Sequence, residues 1–574
     1  MWTITNISIT KAINELIKPF NGYLFYTDDN GVSLSDSGSH WFYSGYIFFR
    51  DKYSSLQRSF STNDLLEKIY NEQKGNFIHY IKGNFILIHL MNDAFNVYSD
   101  HFAVRKFFYW NQGAKFIISS DIREILKHTI CQPSPENIAR YALTYHFTGG
   151  TTLYRNIFHN EPAEIIEFNN NKFEKRFYWQ PVQLLNLPKN KRDIREISQS
   201  LGTAIDNFLN NIDQSRISLS LTGGADTRNL LALFLNKSIK PHLYTYGNPA
   251  STDCLKASAI ARGLGLNHAL HNIQMNATTF EQYARKIIKH SGGLASIHRA
   301  HRLVSVELEK QYADWMFLGT LGGEFVKGVS EDDYIVPSIV YDNWENENYT
   351  KEQLTRRLQE KFIASNNIDM KALLTFIKDE PYMKGAKAER KHNALSFITA
   401  HLHDAQDVNL YKSIMNEVFT PFLDVDYLEL VFSSQFSFDQ KEKIGNKFLA
   451  RLRNPVYGAE FINTTYKPLL YFLYSGDHKP SEVLFNKYYA AIAKYVRQKT
   501  RPQYPPNFPL SKWMADFIGE HLPLCKDYKI LDESFHLDGL IAAFKNGNHI
   551  PKESYWLKFT NPIMMRFIIE EIQN

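Results

Sequence analysis

The chain predicts an α+β molecule in two parts. A layered antiparallel β-sheet domain occupies residues 1–185, and a parallel α/β domain with a helical extension occupies residues 190–574. Three observations carry this. Short alternating apolar segments, separated by Gly, Asn and Asp, recur up to about residue 185, as successive hairpins do. Beyond Lys189-Asn190-Lys191 the pattern becomes helix, strand, helix, strand, helix, the order of a parallel sheet with crossover helices. At 574 residues the chain also exceeds what one hydrophobic core holds.

The first part reads as "GYLFYTDD", "SGYIFFRD", "GNFILIHLMND", "AFNVYSDH", "KFFYWNQ" and "AKFIISSD", each alternating in the manner of a half-buried strand. Helices are predicted at "STNDLLEKIYNEQKG", capped by Ser61 or Thr62, and at "SPENIARYALTYH". The second part opens with the amphipathic helix "KRDIREISQSLGTAIDNFLNNI", followed by the strand "RISLSL" and the helix "DTRNLLALFLNK". The strand "KPHLYTYG", the helix "STDCLKASAIARGLGLNH" and the strand "ADWMFLGT" come next. From about residue 390 the pattern is mainly helical, broken by the proline-rich "RPQYPPNFP".

Composition narrows the function classes. Apolar residues make up 44% and charged residues 22%, ordinary values for a globular protein. A formal charge of +5 on so long a chain lacks the dense basic stripe of a nucleic-acid binder. The nearest candidate, Lys479 to Lys512, mixes Lys487, Lys494, Arg497, Lys499 and Arg501 with Tyr and Ala at helical spacing and reads as a solvated helix face. Cys131, Cys254 and Cys525 form no CxxC pair, which fits a reducing compartment better than a disulfide framework. The N-terminus has no basic region leading into an apolar core, and no apolar run is long enough to span a bilayer. These features lead us to expect a cytoplasmic protein with no nucleic-acid and no membrane partner.

The chemistry is concentrated in "SLSLTGGADTRNLLALFL", residues 218 to 235. A buried strand breaks at two glycines and turns directly into a helix. In a parallel sheet, ligands bind beyond the carboxyl ends of the strands. Gly223 and Gly224 allow a sharp turn and a close approach of backbone to ligand. The helix that follows offers unpaired N–H groups and the positive end of its dipole, a site suited to phosphate. Asp226 can either cap the helix or hold Mg²⁺ beside the phosphates, and Thr222 and Thr227 add hydroxyls. No Gly-Lys-Ser/Thr closes the turn, so it is not a Walker loop. A second turn, "GTLGGEFVKG" at residues 319 to 328, follows another apolar strand and carries one acid, Glu324. Two such turns, each with one carboxylate, favour a clamp on a pyrophosphate and its metal.

At these residues the chain resembles the asparagine synthetase superfamily. Leu221-Thr222-Gly223-Gly224-Ala225-Asp226-Thr227 is similar to the pyrophosphate loop SGGxDS. "YGNPASTDCLKASAIARGLGLNH" and "PFLDVDYLELVF" resemble the segments that follow it in that family. Lys447 and Lys467 fall where the family carries lysines. "YIKGNFILIHLMNDAFNVYSDHFAVRKFFYW" is similar to the family's glutaminase core. The resemblance implies an N-terminal Ntn-hydrolase-like domain and a C-terminal ATP-pyrophosphatase (PP-loop) domain. It implies ATP and Mg²⁺ as cofactors. It places the nucleotide's phosphates on residues 221 to 224 and 226 to 228, the metal on Asp226 and Glu324, the adenine near Tyr246, Gly247 and Gly319, and the activated carboxylate beside Lys467. Asp226 and Lys467 are then the catalytic pair, and Arg228 adds a cation next to the loop.

The departures are specific. Position 2 is Trp where a glutaminase needs a cysteine nucleophile, and Gly83-Asn84-Phe85 has lost the family's acid. Glutamine hydrolysis is therefore not expected, as in the β-lactam-forming and lasso-peptide-cyclising members. In the second turn Gly323 replaces a metal-binding Asp, which leaves Glu324 to serve. The resemblance implies that a carboxylate is adenylated, pyrophosphate leaves, and an amine takes the acyl group. The substrate is then a small-molecule or precursor-peptide carboxylate, with a protease or peptide carrier as a further partner. An ammonia-using amidotransferase, or a pseudoenzyme that binds nucleotide or peptide without turnover, are the alternatives.

Overall fold

The computed structural model describes residues 1–7, 16–20, 23–27, 39–210, 212–327, 348–365, 368–378, 385–386, 390–437, 453–546 and 553–573. The first eleven strands are β1 (Trp2–Thr5), β2 (Leu16–Phe20), β3 (Tyr23–Thr27), β4 (Ser39–Phe49), β5 (Ile81–Met91), β6 (Ala94–Ser99), β7 (Phe108–Gln112), β8 (Lys115–Ser119), β9 (Ile157–His159), β10 (Glu164–Asn169) and β11 (Lys172–Phe177). They form two antiparallel sheets, ordered β2-β3-β1-β8-β7-β9 and β11-β10-β6-β5-β4. Strand alternation explains how the sheets stack. Ile86, Ile88 and Leu90 of β5 join Trp2, Ile4 and Ile118 from the other sheet, and Phe107 just before β7, in one aromatic-rich core. The intervening Phe85 and Leu87 face the opposite way, into the larger core shared with the rest of the chain. The helices predicted in this region form at Thr62–Gln73, with Ser61 as its cap, and at Pro135–Thr144, capped by Ser134.

The remaining strands are β12 (Ile217–Ser220), β13 (His242–Tyr246), β14 (His268–His271), β15 (Trp315–Phe317) and β16 (Glu417–Phe419). They make one sheet in the order β14-β13-β12-β15-β16, every neighbouring pair parallel. From β12 the chain runs outward through β13 to β14, then returns to the other side of β12 to lay down β15 and β16. The strand order thus reverses between β12 and β15. Helices Asp226–Asn236 and Thr252–Leu264 make the first two crossovers. Helix Ile194–Leu209, capped by Asp193, precedes β12. The sequence pattern missed β14 and β16. Their segments, HALH and EVF, are too short to show a period.

Buried ion pairs join the antiparallel layers to the parallel part. Lys82 on β5 reaches Asp424 at 2.8 Å and Asp426 at 2.5 Å, and Arg105 pairs with Glu417 on β16. Asn84, which stands where the resemblance expects an acid, accepts a hydrogen bond from Thr420 at 3.0 Å and so ties the same two regions. Cys131, Cys254 and Cys525 are buried free thiols. Among the described residues no helix is long and apolar enough to cross a membrane.

Candidate active site

The first glycine turn is an extension of β12 that its neighbours hold open. Leu221 N–H donates to Tyr244 O at 2.8 Å, and Thr245 Oγ1 donates to Leu221 O at 2.6 Å. The chain then bends, with Gly224 N–H donating to Thr222 Oγ1 at 3.1 Å. Gly223 O accepts from Ser475 N–H at 2.6 Å. A Cβ at Gly223 would run into Ser475, so only glycine lets that segment pack here. The helix begins at Asp226 with Ala225 at the N-cap position, where no side chain can accept a hydrogen bond. Asp226 lines a cavity instead.

The second turn lies against the first. A Cβ at Gly319 would come within 2.9 Å of Thr227 N, and one at Gly322 within 3.0 Å of the Asp226 Cβ and 2.7 Å of the Phe422 ring. Leu321 between them adopts φ of 71°, a left-handed conformation that a branched residue rarely takes. Glu324 opens the short helix Glu324–Lys327, and its carbonyl accepts from Ser396 Oγ at 2.9 Å. Both turns are therefore at the carboxyl ends of β12 and β15, at the point where the strand order reverses. Open α/β sheets bind their ligands at such points.

A cavity of about 290 Å³ opens there, lined by the ends of β12, β13 and β15 and by helices packed behind them. That volume is near the lower end for small-molecule pockets. Asp226, Glu324, Asp404 and Asp407 line it, with Arg302 as the cation. Asp407 is held by Arg302 at 3.0 Å and by Arg299. Asp404 is different: burial pushes its carboxyl up to about 7, against the opposing pull of Arg299. Thr227 also lines the cavity, and its buried hydroxyl has no hydrogen-bond partner among the described residues. Tyr246, also in the lining, has its ring 5.7 Å from that of Phe508, which in turn lies 4.6 Å from the imidazole of His301. Burial drives the His301 pKa down to about 3 and keeps the ring neutral.

The structure brings together Thr222, Gly224, Asp226, Thr227, Tyr246, Gly319 and Glu324 from the residues singled out in the sequence. Leu221, Gly223 and Gly247 support this wall from behind. Gly247, with φ of 130°, fits against Asn507 O, where a Cβ would come within 3.0 Å. Two residues go elsewhere. Arg228 points away from the cavity: it is fully buried, donates to the carbonyls of Phe472 at 3.0 Å and Leu473 at 2.8 Å, and lies 4.3 Å over the Tyr474 ring. Desolvation lowers its pKa to about 10. Its work is to pin segment 472–478 onto the glycine turn. Lys467 is exposed at the start of the turn Lys467–Tyr471 and does not line the cavity. Lys447 lies outside the described residues. Ser251 caps helix Thr252–Leu264, while Asp253 accepts from Ser475 Oγ at 3.2 Å and Asn507 Nδ2 at 3.0 Å. Both belong to the scaffold around the site.

Arg302, Asp407 and Tyr411 line the cavity without having been singled out in the sequence, and Asp404 joins them from His401-Leu402-His403-Asp404, a run that reads in sequence as a surface helix pair rather than a metal cluster. They lie some eighty or more positions beyond the first turn, on helices with no glycine or motif to mark them.

Among the described residues no group of three or more His, Cys, Asp or Glu side chains forms a metal site. Asp226 and Glu324 supply two carboxylates to one cavity. Such a set suits Mg²⁺, which is usually held by one or two carboxylates, water and the phosphates of a substrate.

No family model matches the chain, and no curated protein matches it. Among solved structures, the allosteric regulatory enzyme of purine biosynthesis is similar at 12% identity over 46% of this chain and 56% of that one, with a TM-score of 0.19. The glutamine phosphoribosylpyrophosphate amidotransferase of B. subtilis, complexed with ADP and GMP, is similar at 9% identity over 62% of this chain and 78% of that one, with a TM-score of 0.18. The chain thus spans about half the length of the first. At these TM-scores the likeness carries no weight for fold or function. What stands is a mixed α/β chain with two antiparallel sheets, one parallel sheet and a cavity at its switch point.

Proposed function

We propose that the chain is an ATP-dependent carbon–nitrogen ligase of the asparagine synthetase type, with a PP-loop domain and a degenerate Ntn-like domain that does not hydrolyse glutamine. Its substrate is a carboxylate on a small molecule or precursor peptide, joined to an amine in peptide or natural-product maturation. A protease or peptide carrier is the further partner. The observation that supports this best is the contact of two glycine turns at the switch point, each sending one carboxylate into a single cavity.

The residues present fit a magnesium nucleotide. With Asp407 offset by Arg299 and Arg302, the carboxylates of Asp226 and Glu324 would still repel a polyphosphate unless a divalent cation entered with it. When bound, MgATP supplies the adenylyl group that activates the carboxylate. Asp226 and Glu324 would hold the metal. Gly224, with no side chain in the way, leaves backbone open to the phosphates, and the Thr227 hydroxyl has a hydrogen bond to give. Tyr246 offers an aromatic wall. Arg302 is the cavity's cation for the charge that develops on phosphate or carboxylate. Asp404, titrating at about 7, is suited to take a proton from an incoming amine.

The N-terminal domain supports a chain without glutaminase activity. Trp2 is 3% exposed, with its ring 5.9 Å from that of Phe107, in the core between the two sheets. An indole and close-packed rings fill the place where an N-terminal thiol would need substrate and water. A second reading, nucleotide binding without turnover, is favoured by one observation: Lys467 stands outside the cavity. The test is product analysis with MgATP, ammonia or an amine, and a panel of carboxylates and peptides. AMP and pyrophosphate formed together with an amide support the ligase. Nucleotide binding with no pyrophosphate supports the second reading, and ADP with phosphate contradicts both.

A further inference from the structure

Residues 484–504 carry an unusual share of the chain's exposed large apolar side chains. Phe485 is 81% exposed, Ile492 64% and Tyr495 63%, and Tyr488, Tyr489 and Val496 are each more than half exposed. Five of these six lie on the helix Lys487–Thr500, whose Ala490 and Ala491 form its buried face. Tyr488, Ile492, Tyr495 and Lys499 follow one another at i, i+4, i+7 and i+11, a stripe along the outer face. This region was expected to be a solvated basic face. It is instead apolar and basic together, and a contiguous patch of this kind marks an interaction site.

We propose that this face docks an acidic, amphipathic polypeptide segment. Charge complementarity selects that occupant. The helix carries Lys487, Lys494, Arg497 and Lys499 and no acid. Arg497 is committed to Glu482 at 2.8 Å and to Asp477 O at 3.0 Å, so it braces the helix. The Lys487 ammonium lies 5.3 Å from the Tyr488 ring centre and the Lys499 ammonium 5.8 Å from that of Tyr495, which puts positive charge on the apolar stripe itself. A partner helix with apolar residues at matching spacing, flanked by Asp or Glu, meets both features.

Other occupants fit less well. A bilayer-surface helix keeps its lysines on the polar side, whereas Lys499 is within the stripe. Single-stranded nucleic acid stacks on rings, yet Ile492 and Val496 occupy the middle of this face. A second copy would set cation against cation. The exposed tyrosines are the side chains that protein interfaces favour. The face is also tied to the candidate active site. Arg497 and Arg501 both engage Asp477, in the segment whose Ser475 N–H donates to Gly223 O.

The test uses the full chain and a fluorescein-labelled peptide of repeated Leu-Glu-Glu-Leu-Leu-Glu-Glu units, read by fluorescence anisotropy. We expect binding that weakens as salt rises, and no binding of the same peptide with Lys in place of Glu. The paired variant I492S/Y495S and the charge-reversed K487E/K499E should each weaken binding about tenfold or more. Circular dichroism should be unchanged in both, because the four positions are exposed. Equal affinity for the acidic and basic peptides, or no affinity for either, would overturn the proposal. So would phosphatidylserine vesicles or oligo(dT) binding this face in a way the acidic peptide cannot displace. Concentration-dependent dimerisation that these variants abolish would assign the face to a second copy and overturn it too.

Discussion

At the scale of single residues, the proposed reading rests on two carboxylates. Asp226 sits in the first turn of its helix, with the cap position taken by an alanine, so its placement serves the cavity. On the proposed reading of Asp226 as a metal ligand, D226N should leave the circular dichroism spectrum and melting temperature nearly unchanged while pyrophosphate release falls by about a hundredfold or more. Asp404 yields a pH prediction. An unfolded Asp titrates near 3.9, and burial lifts Asp404 to about 7 in the folded chain. The folded state therefore binds this proton more tightly, and the cost of ionising it weighs fully against folding above pH 7. That cost shrinks as pH falls from about 7 towards about 4. D404N mimics the protonated form. Melted without nucleotide in EDTA, it should gain more stability over the native chain at pH 8 than at pH 5. An equal change at both would remove burial as the cause.

Turns and helices set what those residues can reach. Gly319 lies against the Thr227 backbone, where a neighbour cannot swing aside as a flexible side chain can. G319A should separate the two turns, cost about 1–3 kcal/mol in denaturant unfolding, and abolish nucleotide binding. Arg228 does comparable work from the other side. Arg228 reaches the Phe472 and Leu473 carbonyls from two separate nitrogens of its planar fork, a spread that the single nitrogen of a lysine does not reproduce. R228K should therefore lower the melting temperature and speed hydrogen exchange in residues 472–478. At this scale the sequence was informative where local chemistry is strong. The glycine turns, the Ser61 cap and strands β12, β13 and β15 were all legible from residue types alone. Arg228 was misread because adjacency to the loop says nothing of which way a helical side chain points. Lys467 was placed by resemblance, and its exposed position follows from a turn that no motif encodes.

At the scale of the molecule, two halves are bound by buried charge. Lys82 meets Asp424 where little water reaches and also pairs with the more exposed Asp426, which Arg50 holds as well at 2.6 Å, so K82M would strand Asp424. A loss of about 3–5 kcal/mol in unfolding free energy is expected. The layered antiparallel part and the parallel part were both legible in sequence period, but Arg302, Asp404 and Asp407 were not. They enter the cavity because the returning chain builds β15 and β16 beside β12, and the helices that lead into those two strands carry them. Long-range placement of that kind leaves no local signal. The most direct measurement is calorimetric titration of ATP into the native chain, D226N and E324Q, each with and without Mg²⁺. Binding that requires Mg²⁺ and is lost in either variant is the predicted result. ATP affinity that ignores the metal, or survives unchanged in both variants, would contradict a shared clamp between the two turns.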